Sequence, residues 1–345
     1  MRSMFCTSVR RRRCSSSRLN TAASISLRVA GSSSMVRLVD GCLAGTVYSF
    51  AMTCKHALCR VFALLLPLLA LLAACGLQRP EVEAPVRVPG SERRLTLDAL
   101  ADRLARADFV LLGEVHDSDE AHRLQARLLQ GLLARGRRPT LVMEQIRRDQ
   151  RPGDAAARRR AMRQGGWPVA GYEPLLRVAE QTGLVIVGGN LSGRQLRQGD
   201  ALPHKVRALA AAHPLSPPAR ERLARDIERA HCGMANADAV RALVRLQALR
   251  DAALAETMLS VPRPVVLIAG NGHTRRDYGV PRLLQGQGRV LAVGLIEREP
   301  GHERLSEEQA VRAGAWDFVI PIAPVHDTDP CVRFREQLQR LRHGD

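Results

Sequence analysis

Residues 109–117 read Phe109-Val110-Leu111-Leu112-Gly113-Glu114-Val115-His116-Asp117: four apolar residues halted by a glycine, then two side chains able to do chemistry. A short apolar run closed by glycine is the pattern of a strand buried on both faces. Before it, Leu95, Leu97, Leu100 and Leu104 recur at helical spacing, and folding is expected to begin near Leu95. After it, Leu124, Leu128, Leu129 and Leu132 mark a second helix, which leads to the run Thr140-Leu141-Val142-Met143 and to Glu144.

The same order returns along the chain. A helix near 172–181 leads to a strand over 184–187 that stops at Gly188-Gly189-Asn190. A run over 265–269 stops at Gly270-Asn271-Gly272-His273, and strands over 290–295 and 318–320 follow. Alternation of this kind predicts an α/β fold, a parallel sheet in a three-layer α/β/α domain. From about 194 to 260 there is only an Ala/Leu/Arg helical pattern, read as a helical insertion over one edge of the sheet.

Strand ends of a parallel sheet share a crevice, so Glu114, His116, Glu144, Asn190 and His273 are expected to converge. Each alone has a structural reading as a cap or turn residue. Together, Glu114, His116, Glu144 and His273 suit either a divalent metal or proton transfer on a bound ligand. No nucleophile elbow, P-loop or dinucleotide fingerprint accompanies them, which removes the common hydrolase and nucleotide readings.

The formal net charge is +18, but half of it lies in residues 1–74, where ten basic side chains face the single acid Asp40. The other basic residues are almost all arginines scattered among acids, without interleaved aromatics, so no nucleic-acid partner is expected. Residues 1–51 are Ser- and Arg-rich without helical or strand period and read as an extension that is disordered or lies upstream of the true start, with Met52 or Met35 as initiator. Residues 52–74 read as a signal peptide: Lys55 and Arg60 precede an apolar core, and Leu72-Ala73-Ala74-Cys75 has the form of a lipobox. Cys75 is then the lipidated residue, 75–92 a tether and 93–345 the folded domain. Gly76 after it favours sorting to the outer membrane, facing the periplasm. Cys232 and Cys331 remain as thiols; they could pair in an oxidising compartment, and two buried thiols are the reading preferred here.

The segment 109–117, with Leu141-Val142-Met143-Glu144, resembles the start of the ChaN family of haem-binding lipoproteins. The resemblance continues through Trp167, a turn at Tyr172-Glu173-Pro174-Leu175, Asn190, the His231-Cys232-Gly233 break, Gln247 and Arg250-Asp251-Ala252. It is most specific over Ile268-Ala269-Gly270-Asn271-Gly272-His273-Thr274-Arg275-Arg276-Asp277-Tyr278-Gly279-Val280-Pro281. It implies a periplasm-facing lipoprotein of iron or haem acquisition, with haem enclosed between two subunits of a homodimer, and distant kinship with hydrolase-like proteins.

Haem needs an axial ligand and cations for its propionates. Downstream of Cys75 the chain has two tyrosines, Tyr172 and Tyr278, and the latter lies close to Arg275, Arg276 and His273. These residues, with His116, are the candidate haem contacts. The alternative is a metal-dependent hydrolase or esterase-like enzyme using Glu114, His116, Glu144 and His273. A third reading is a lipid-anchored interaction protein in which those groups are only structural.

Overall fold

The computed structural model describes residues 85–150, 152–197, 202–298, 314–333 and 335, together with the backbone of 24–29 and 32–37. The chain divides into two units, Met1–Glu81 and Val82–Asp345. The first contains an antiparallel hairpin of β1 (Ser24–Val29) and β2 (Ser32–Arg37), where the sequence showed no strand period. The signal peptide over 52–74 and the lipidation site Cys75 lie outside the described residues.

The second unit is built on an eight-stranded, mostly parallel sheet. Its strands are β3 (Val86–Arg87), β4 (Arg94–Leu95), β5 (Phe109–Leu112), β6 (Thr140–Arg147), β7 (Ile186–Asn190), β8 (Val265–Ile268), β9 (Val290–Glu297) and β10 (Phe318–Ile322). Their spatial order is β4-β3-β10-β9-β5-β8-β6-β7, with antiparallel pairing only at the β3/β4 edge. The sheet therefore starts inside the stretch read as tether: Val86 is fully buried and Arg87 pairs with Val319.

The helices are α1 (Leu97–Leu104), α2 (Asp119–Ala134), α3 (Ala155–Gln164), α4 (Val169–Gln181), α5 (Gly193–Arg197), α6 (His204–Ala212), α7 (Pro217–Ala230), α8 (Ala237–Leu259) and α9 (Asn271–Thr274), before a 3-10 turn at Val280–Leu284. The two-residue period of the strands sorts side chains between two cores. Val110, Leu112, Leu141, Met143, Val266 and Ile268 meet α1, α2 and α4 on one face. Phe109, Leu111, Val142, Val265 and Leu267 meet Ala252, Leu254 and Met258 of α8 on the other.

That second contact places the insertion. It lies over the β7 edge of the sheet, as expected, and reaches across that face, because the alanines of α8 at 252, 253 and 255 let the helix lie close on β7 and β6. Two boundaries also move. β6 runs on to Arg147, which leaves Glu144 within a strand, and Tyr172–Leu175 belong to α4 instead of a turn.

Candidate functional site

Strand β5 delivers Glu114, and α2 and α4 close over it. Ser118 caps α2 by accepting from Ala121 N, and Asp119 and Glu120 sit in the first turn, where the helix dipole favours acids. His122 and Gln125, one helical turn apart, then point inward. Glu114 is buried and accepts from Tyr172 Oη (2.6 Å), Gln145 Nε2 (2.8 Å) and Gln125 Nε2 (3.0 Å), with His116 Nδ1 at 2.9 Å. His122 lies farther off, its Nε2 3.7 Å from Glu114, and its ring stacks tilted on Tyr172 at 3.9 Å. Burial pulls the His122 pKa down despite the nearby carboxyl groups.

A second network lies on the opposite face. Glu144 accepts from Gly270 N at 2.8 Å and stands 3.3 Å from His273 Nε2. His273 Nδ1 is 2.6 Å from Asp251 of α8, and Gln247 adjoins the same ring. Burial would lower the His273 pKa, but the charges of Glu144 and Asp251 outweigh it and push it up to about 10. Burial likewise opposes ionisation of Glu144, and His273 wins, holding it at about 2. Burial raises the Asp251 pKa against the pull of His273.

Strand alternation explains the division: Gln145 points to the Glu114 side and its neighbour Glu144 to the His273 side. The four expected residues thus form two pairs, Glu114–His116 and Glu144–His273. They meet at Gly270, where a Cβ would fall 2.8 Å from His116 Cε1 and 3.7 Å from Glu144 Oε2. Asn190 stays apart, its side chain accepting from Leu191 N. Among the described residues no three His, Cys, Asp or Glu side chains are grouped to hold a metal ion. The expected metal site therefore does not form, since the pairs direct their donor atoms at each other.

A family model described as haem-binding uptake, Tiki superfamily, ChaN, matches residues 100–284, more than half of the chain. The chain belongs to the ChaN family. ChaN of Campylobacter jejuni, in a structure described as cofacial heme binding, is 18% identical with a TM-score of 0.54, over 69% of this chain and 96% of that one; this shows the shared fold. A MARTX toxin effector domain from Vibrio vulnificus is a remote likeness (17% identity, TM-score 0.36, 58% of this chain and 35% of that one). So is an erythromycin esterase mutant (13%, 0.34, 62% and 78%). No curated protein matches by sequence.

In this ChaN-family chain both expected tyrosine ligands are engaged. Tyr172 is fully buried, and burial and Glu114 raise its pKa. Tyr278 packs with Leu223, Val240 and Val244 in a third apolar cluster and donates to Asp226 at 2.7 Å. Burial raises its pKa, with Asp226 reinforcing the effect, although Arg275 lies over the ring at 4.8 Å. Arg275 pairs with Asp277 and, with Tyr278, Asn271, Gly272 and Trp316, lines a cavity of about 430 Å³, whereas Arg276 turns away to Asp317.

His116 is the open member of the first network. Its side chain is 44% exposed, and its ring edge meets Trp167 at 4.8 Å between centroids. Burial lowers its pKa, but the bond to Glu114 and the charge of Glu144 raise it above the ordinary value. An imidazole oriented by a carboxyl group through one nitrogen can move a proton, or bind a metal, at the other.

On the same loop, Val115 and Asp117 border a cavity of about 1140 Å³ at the C-terminal ends of β5, β9 and β10. It is larger than common small-molecule pockets, which span about 300–1,000 Å³. His231, Met234, Arg298, His326 and Arg333 also line it. Beside it, Cys232 and Cys331 form a disulfide with Cα atoms 5.4 Å apart, which overturns the reading as two buried thiols. The turn after α7 carries Cys232 outward at a positive φ of 56°, bringing it to a partner 99 residues away.

The sequence reading missed His122, Gln125, Gln145, Gln247 and Asp251 as site residues. A signal existed for two of them, because His122 and Gln125 interrupt the apolar stripe of α2.

Proposed function

We propose that this chain is a haem-binding lipoprotein of the periplasmic side that serves iron or haem acquisition and holds haem where two copies meet. The observation that carries the reading is the 1140 Å³ cavity, which offers imidazole, thioether and guanidinium groups to one ligand in a member of the ChaN family. Iron, macrocycle and propionates call for those three kinds of partner. The cavity is open to solvent, as a pocket completed by a second subunit would be, and the Campylobacter relative is described as binding haem cofacially. The disulfide supports an oxidising compartment. Lipidation at Cys75 and outer-membrane sorting rest on the sequence alone.

The test is a titration of the full chain in detergent with ferric haem, against empty micelles, followed by absorbance and by mass on size exclusion. A Soret band saturating near one haem per chain, with doubling of the protein mass, is the expected result. No spectral change beyond the micelle blank would sink the reading.

A second reading, acid–base catalysis, is favoured by the half-exposed His116 held by Glu114. It predicts ester hydrolysis that is lost in His116→Asn and indifferent to chelators.

A further inference from the structure

We infer that the cleft between α6, α7 and α8 binds one long-chain fatty acid, with the tail on its apolar floor and the carboxylate on its arginine rim. The inference stands apart from the haem reading and from the two strand-end networks.

The cleft, of about 550 Å³, opens where the C-terminal end of α6 faces the first turns of α7 and the N-terminal half of α8. Its size falls among small-molecule pockets, which span about 300–1,000 Å³. Ala210, Leu215, Ala224, Val240, Val244 and Ala248 make the floor. Residues four apart on a helix share a face, so the last three form one stripe along α8. Leu215, Val240 and Val244 also pack with Leu223 and Tyr278 in the third apolar cluster, which fixes the floor from behind. Alanine at 210, 224 and 248 leaves open the space that longer side chains would fill.

Four arginines, Arg220, Arg241, Arg245 and Arg282, and one acid, Glu221, line the same cleft. Arg241 and Arg245 repeat the four-residue spacing one position on from Val240 and Val244, so α8 sets a cationic row beside its apolar stripe. Arg282 stands on the 3-10 turn, its Nε donating to Tyr278 O at 2.9 Å and its Nη1 to His213 O. Neutral carbonyls fix the guanidinium without cancelling its charge. Burial lowers its pKa, and the charge of Asp251, itself bonded to His273, does not make up the difference. Glu221 stands 4.0 Å from Arg225, and Arg241 pairs with the exposed Asp238. Surface pairs of this kind contribute little and are readily exchanged for another partner.

An apolar floor beside a row of cations calls for an anion with a hydrocarbon tail. Guanidinium forks match the two oxygens of a carboxylate, and bonds between ionised partners are the stronger ones. The cleft has less than half the volume of the cavity beside the disulfide, which suits a single acyl chain and not the paired chains of a phospholipid.

The experiment labels the full chain, held in phosphatidylcholine nanodiscs, with palmitic acid carrying a diazirine on its tail. Mass spectrometry of proteolytic peptides then maps the photo-adducts. Adducts are expected on peptides covering 215–224 and 240–248, erased by excess palmitate and left in place by methyl palmitate. Arg220→Gln combined with Arg245→Gln should weaken binding by about tenfold, the scale of a lost hydrogen bond between charged groups. Ala248→Trp, which fills the cleft, should remove the adducts. Arg220 and Arg245 are exposed, so the double variant should melt with the parent and carries the test if Ala248→Trp does not fold.

Adducts spread evenly along the chain would overturn the assignment, as would unchanged affinity in the double variant or competition by methyl palmitate equal to that by palmitate. Displacement of the probe by stoichiometric ferric haem would overturn it too, giving the cleft to the macrocycle while the haem reading stands.

Discussion

Tyr172 donates its phenolic proton to Glu114 across 2.6 Å, joining the middle of α4 to the end of β5 in a space closed to solvent. Replacing Tyr172 with Phe removes that donor from a carboxyl group that cannot recruit water in its place. Losing one hydrogen bond from an acceptor that keeps others costs about 0.5–1.5 kcal/mol. The Tyr172→Phe chain should therefore unfold at lower urea concentration by that amount. A midpoint equal to the parent's would mean that Gln145 and Gln125 satisfy Glu114 unaided.

The Glu144–His273 pair predicts a pH window. His273 has its folded pKa raised from 6.5 to about 10, so its contribution is complete below 6.5 and disappears as pH rises toward 10. Glu144 is lowered from 4.5 to about 2, so its contribution is complete above 4.5 and disappears as pH falls toward 2. The stability difference between the parent and the E144Q/H273Q double variant should peak between these two ordinary values and shrink on either side. Urea titrations across the range decide this; a flat difference from acid to alkali would refute the pairing.

The disulfide closes a loop between residues 99 apart. In the chain-entropy account, a cross-link of that span stabilises by about 4–5 kcal/mol. Replacing both Cys232 and Cys331 with Ser should lower the urea midpoint accordingly, and reductant should do the same to the parent but nothing further to the variant. Equal sensitivity of both proteins to reductant would contradict the bond.

Gly113 follows the strand that decides the fold, and a Cβ there would fall 2.3 Å from Asn271 Oδ1 and 3.0 Å from the carbonyl oxygen of Val293. Asn271 is itself fixed by bonds to Leu295 N and O. Overpacking a rigid place of this kind costs about 1–3 kcal/mol or more. Gly113→Ala should lower the melting temperature more than Gly136→Ala, whose Cβ meets open space although its φ is +73°. The reverse order would remove close packing as the reason for glycine at 113.

The lipobox reading predicts that Cys75→Ser moves the chain from the membrane to the soluble fraction. Mass spectrometry of the parent's N-terminal peptide should show acylation beginning at Cys75. An unmodified cysteine at that position would end the lipoprotein proposal.

The strands and the helices over them were legible because runs such as 109–112 and 265–268 bury both faces, and their periodicity survives in the sequence. Glu114 and His116 were legible for the same reason, since they stand where an apolar run stops. The division between Glu114 and Glu144 was not, because it depends on where β6 ends: a strand continuing to Arg147 turns adjacent residues to opposite faces. Tyr278 lay in the right motif, yet only the packing of α7 and α8 shows that its ring belongs to an apolar cluster and its hydroxyl to Asp226. The bond between Cys232 and Cys331 depends on two loops meeting in space, about which sequence separation says nothing.

The antiparallel β3/β4 edge also gives the domain a mechanical property. Tension arriving along the chain from the N-terminal side reaches this unit at β3, where Val319 pairs with Arg87 and Val86–Arg87 pair with Leu95 and Arg94. Strands two residues long offer few bonds to shear, whereas the parallel strands that carry Glu114, Glu144 and His273 lie deeper in the sheet order. Under load the edge should peel first, as a sacrificial seam, and the strand ends that carry Glu114, Glu144 and His273 should keep their places after it has yielded.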